Sequence, residues 1–221
     1  MANQDSNASV LRLILVPALI TLAVTILRLV GELQHWSKPL FNPTAGGGGA
    51  LVGIAWLAPI FGIYFAWKLA GAGAGPASLG KAIGFTLLGL VVTVGGAALA
   101  GLSQFHKLGM LVGGLVLIAF GAIIPAVGWP ALTKTLIAYG YSARIPVAIV
   151  MFFAMRGQWG THYDAPPPEF PEMSFWAKYV AIGLLPQLVF WITFTVIFGS
   201  LLGTIAVTLF RRPKAAPQAA A

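Results

Sequence analysis

Six stretches of this chain are apolar over a length that matches a lipid bilayer, and that excludes most soluble folds. They cover residues 13–30, 50–67, 83–102, 108–127, 132–155 and 175–210. About 20 helical residues cross the hydrocarbon core. Backbone N–H and C=O groups meet no water there, so a crossing segment satisfies its own hydrogen bonds as a helix. Composition agrees. Hydrophobic residues make up 58% of the chain and charged residues 8%, where a soluble domain carries about 25% charged. Glycine, with 27 copies, lets membrane helices approach closely. The expected fold is all-α: a polytopic transmembrane bundle with spans near 11–33, 50–68, 82–102, 107–128, 131–156 and 179–210. These form a single domain, 1–214, ahead of a disordered tail, 215–221.

The first stretch reads as a retained span. A signal peptide fits poorly, because Asp5 precedes it and no small-x-small cleavage site follows. The second, third and fourth contain no charged residue. The fifth contains Lys134, Arg144 and Pro146, and proline disfavours helix at and before itself. A span kinked at Pro146 is the preferred reading; an interfacial helix followed by a short span is the alternative. The sixth is about 54 Å long as one helix. Pro186 is expected to divide it, leaving 187–210 as the span.

With six spans both termini share a side. That side holds Arg12, Lys68, Lys81, Lys134, Arg211, Arg212 and Lys214, against Arg28, Lys38, Lys107, Arg156 and Lys178 opposite. The positive-inside rule then makes the termini cytoplasmic, and a bacterial inner membrane is the expected location. The outer side receives Glu32, Asp164, Glu169, Glu172 and all three histidines, His35, His106 and His162.

The net charge is +8, but the cations are scattered between apolar runs, without a basic stripe and interleaved aromatics. Nucleic acid is therefore not an expected partner. Membrane lipids are, with a homo-oligomer or a larger membrane complex as further options. The chain has no cysteine, which excludes thiolate chemistry and cysteine-held metal clusters.

Three places can carry chemistry. Arg28, Glu32 and His35, spaced four and three apart, share a helix face if helix continues past Gly31. Arg144 lies inside an apolar run. A charge there calls for the bundle interior, a water-filled cavity or a counter-ion, and Tyr139, Tyr141 and Ser142 are candidate neighbours. The loop after Arg156 concentrates Trp159, His162, Tyr163 and Asp164, a mixture typical of binding loops. Glu32, His35, His162 and Asp164 are metal-binding types, but no metal motif joins them, and neither metal nor cofactor is expected. Residues 46–49, four glycines, read as a hinge. Two Gly-x-x-x-Gly pairs, Gly109 with Gly113 and Gly199 with Gly203, mark expected close helix contacts.

The first expectation for function is a non-catalytic membrane subunit, sensor or scaffold. A small-molecule or ion carrier or channel is the second, resting on Arg144 and the prolines at 59, 125, 146 and 186. A membrane enzyme using His35, His162 and nearby carboxylates is the third. The surroundings of Arg144 discriminate between the first two. A polar cavity favours the carrier, and a headgroup position favours the subunit.

Overall fold

A computed structural model describes residues 2–103, 107–168 and 170–210, with side chains from residue 9 onward. His106, Glu169, Arg211, Arg212, Lys214 and the expected tail lie outside the described residues. Six helices follow one another: α1 Ala2–Leu33, α2 Leu57–Gly71, α3 Leu79–Leu102, α4 Leu108–Ile123, α5 Pro130–Gly157 and α6 Phe175–Phe210. No strand occurs among the described residues.

Among the described residues, five helices are long and apolar enough to cross a membrane: α1 from Ser9, α3, α4 with the 3-10 turn Ile124–Val127, α5 and α6. The expected second span differs. Helix begins at Leu57, not at residue 50, and α2 has 15 residues, about 22 Å. Two local causes are visible. Pro59 sits in the first turn, where a missing N–H costs nothing. Residues 50–56 are needed elsewhere, because the loop before α2 folds back against α1.

The two proline interruptions also resolve differently. Residues 130–157 form a continuous helix that contains Pro146, so the interfacial-helix alternative does not hold. Pro130 opens this helix at the position proline favours. Pro186 does not divide α6. The helix instead widens to π-type turns over Tyr179–Leu184 and Pro186–Phe190, then returns to α geometry at Trp191–Phe210. A wider turn absorbs the missing proline N–H without ending the helix.

Glycine sets the helix contacts. A Cβ on Gly62 of α2 would collide with the backbone of Gly199 on α6, and one on Gly203 would meet the Gly62 carbonyl at 2.7 Å. The Gly199–Gly203 pair therefore works as expected, within one chain. The Gly109–Gly113 pair does not. A Cβ on Gly109 meets nothing within 4 Å, and one on Gly113 only the Leu99 side chain at 3.6 Å. The tight α3–α4 contact uses Gly89 and Gly96 against Gly121 and Gly114, with backbone carbonyls 2.6–2.8 Å from the position of a Cβ. Each pair is seven residues apart, so each recurs on one helix face.

These contacts predict an ordered mutational outcome. Gly62→Leu forces backbone apart and should destabilise by at least the ~1–3 kcal/mol typical of overpacking. Gly109→Leu should change little. Thermal unfolding in detergent checks both, and equal effects would refute the assignment.

Candidate functional site

The site is built at the end of the bundle where α1 and α5 finish and α6 begins. Helix continues through Gly31 to Leu33, so Arg28 and Glu32 are one turn apart on one face. Gly31 is required there, because the Phe41 ring packs where its Cβ would stand. Arg28 Nε donates to Glu32 Oε1 at 2.8 Å. Its Nη2 donates to the carbonyls of Gly47 at 2.9 Å and Asn42 at 3.3 Å. The glycine run is thus a wrap around a guanidinium. Gly47 has φ +62°, and a Cβ there would meet Arg28 Nη2 at 2.5 Å. Gly53 approaches the same group from the other side, with a Cβ position 3.0 Å from Nη1.

The loop after α5 is held by the same carboxylate. His162 donates its backbone N–H to Glu32 Oε2 at 2.9 Å, and its Nδ1 lies 2.6 Å from Oε1. Asp164 keeps that loop in shape by accepting from Gly160 N, Thr161 N and Thr161 Oγ1 at 2.7–3.0 Å. The Tyr163 hydroxyl donates to the Thr25 carbonyl at 3.3 Å. Burial pushes the His162 imidazole below its ordinary range despite the upward pull of Glu32, which favours the neutral ring. Burial likewise pushes the Tyr163 phenol up.

Beneath these loops lies a cavity of about 480 Å³, within the range of small-molecule sites. Arg28 and His162 line its upper part. Arg144 lines it lower down, 13 residues before the end of α5, or about 20 Å along the helix. Arg144 is 5% exposed. Its Nη1 donates to Gln187 Oε1 at 3.2 Å, and its guanidinium lies 4.5 Å from the Trp191 ring centre. Gln187 belongs to the π-type part of α6 and Trp191 follows one turn later. No carboxylate pairs with Arg144 among the described residues. The rest of the wall is largely apolar, including Ile54, Val147, Met151 and Ile182.

Three expected site residues, Arg28, Arg144 and His162, therefore meet in one cavity, and Glu32 stands behind two of them. Asp164 shapes the loop without lining the cavity. Tyr141 and Trp159 are exposed and outside it. His35 is outside too. The helix ends before it, its backbone turns to φ +54°, and its Nδ1 bonds only the Glu32 carbonyl at 3.0 Å. A shared His35–His162 centre is thus not formed. Of the neighbours expected for Arg144, Tyr139 bonds Thr21 at 2.8 Å and Ser142 its own helix. Gln187 and Trp191 were missed, although a glutamine inside an apolar run was a signal.

Comparison with known proteins finds no matching family, curated protein or solved structure.

Two outcomes follow. Glu32→Gln removes the counter-charge of buried Arg28 and leaves one acceptor oxygen where three donors converge, so it should cost about 3–5 kcal/mol, read from unfolding in detergent. His162 has a depressed value in the folded protein. Its contribution is present above the ordinary histidine value of about 6.5 and is lost as pH falls through the depressed one. Melting temperature should therefore drop on acidification below about 6.5, more in the wild type than in His162→Asn. Parallel curves would refute this.

Proposed function

We propose that the protein is a membrane carrier for a small organic anion, which it binds in the cavity between α1, α5 and α6. The carrying observation is the uncancelled charge of Arg144 inside an apolar bundle, facing a cavity. Arg28 is matched by Glu32 and burial favours the neutral form of His162, so Arg144 leaves the cavity with an excess of positive charge. An interior arginine without a counter-ion is costly, and a bound anion removes that cost. Gln187 and Trp191 hold one edge and one face of the guanidinium, which keeps its remaining donors oriented for a carboxylate or phosphate. The apolar wall suits an organic body better than a bare inorganic ion.

Carriage is favoured over mere binding by the two ends of the cavity. One end meets the loops. Below Arg144 the bundle is closed by Tyr139 with Phe61 and Phe65, whose ring centres lie 5.3–5.4 Å from that of Tyr139. Next to the cavity, α6 carries irregular helix at Pro186, which transporters tolerate where backbone lines a cavity. A subunit, sensor or scaffold needs no such interior charge. With six crossings, the excess of cations on the terminal side supports cytoplasmic termini and a cavity opening outward; a bacterial inner membrane is the location we propose.

Proteoliposomes test the proposal with acetate, butyrate, benzoate and phosphate as probes. Flux above empty liposomes is expected for an organic anion. Arg144→Gln should weaken its binding by about 30-fold or more, equivalent to the ~2 kcal/mol lower bound for truncating a buried charged partner. Arg144→Lys, which keeps charge but loses the planar fork, should fall between. Wild-type flux equal to empty liposomes across the panel would overturn the carrier reading.

A further inference from the structure

His162 has an unused reactive atom. Glu32 as a carboxylate only accepts, so the 2.6 Å contact places the imidazole hydrogen on Nδ1 and the lone pair on Nε2. Nε2 has no hydrogen-bond partner among the described residues, and the ring lines the same cavity as Arg144. The groups around it are few. α1 supplies Arg28 and Glu32, and its own loop supplies Tyr163 and Asp164. α5 supplies Arg144 across the cavity. The loop before α2 and helix α6 bring Gly47 and Gln187, which do not titrate. A protonated His162 in the empty cavity would therefore be a further cation in a space already holding an excess positive charge.

Resting on the anion reading above, we propose that the cavity loads a proton with its anion: His162 Nε2 accepts one proton when an organic carboxylate seats on Arg144. Burial and the Arg28 guanidinium oppose a charged His162; a carboxylate bound on Arg144 brings a negative charge into the cavity that both side chains line, and Glu32 is already placed to stabilise the imidazolium through Nδ1–H. If the ligand enters as its acid, the O–H bond breaks, the proton moves to the Nε2 lone pair, and the carboxylate pairs with Arg144. If it enters as the carboxylate, the proton comes from water or buffer acid. Either way the loaded cavity differs from the empty one by a neutral pair, so the carrier would move anion and proton together. Burial, which disfavours the charged imidazole in the empty cavity, ties that uptake to the anion.

The test is proton uptake by the purified full-length protein in detergent, titrated with benzoate in lightly buffered solution at pH 7 with an indicator dye. About one proton per bound benzoate is expected. Affinity should rise by up to tenfold per unit of acidification across the coupled range. In His162→Asn, whose amide can still donate to Glu32, uptake per bound benzoate should vanish; His162→Gln is the second variant. Benzoate binding to wild type without proton uptake would overturn the coupling and leave the anion site standing. Equal uptake by folded His162→Asn would overturn His162 as the acceptor. No binding of benzoate, butyrate or acetate to wild type would overturn both readings.

Discussion

The Glu32 carboxylate is the interaction on which the upper half of the molecule depends. Its side chain is fully buried, and its two oxygens accept from Arg28 Nε, His162 Nδ1 and His162 N. Through Arg28 it holds the glycine-rich loop, and through His162 it holds the loop after α5. Those loops form the upper cavity wall. A carboxylate satisfied by three donors is stable in a dry setting in a way an isolated one is not. One acidic side chain therefore joins segments up to 130 positions apart.

Arg144 poses the opposite problem. It lies deeper, and the protein supplies it with a dipole from Gln187 and a ring face from Trp191, but no charge among the described residues. Both partners depend on the local geometry of α6. Pro186 precedes Gln187 directly, and π-type turns flank it. Wide turns of this kind recur at functional sites, and here they stand beside the interior guanidinium. Glycine contacts of α2 with α6 and of α3 with α4 draw the helices together, while α2 begins late because the chain before it encloses Arg28.

Much of this was legible in the chain. Apolar run length and hydrogen-bond necessity in lipid determine an all-helical protein with several bilayer-length helices, and a four-residue spacing determines that Arg28 can meet Glu32. An arginine within an apolar run determines that something polar must surround it. Pattern could not show that residues 50–56 leave the helix, because their apolar character suits a loop packed on α1 as well as a span. Nor could it show that Pro186 widens a helix instead of breaking it, since both relieve the same missing N–H. Only the tertiary structure decided that His162 and not His35 reaches Glu32. Helix α1 ends at Leu33, turning His35 away, while the 158–174 loop carries His162 back across 130 residues. Local spacing rules act within one helix; a carboxylate shared between distant segments is decided by how the helices pack.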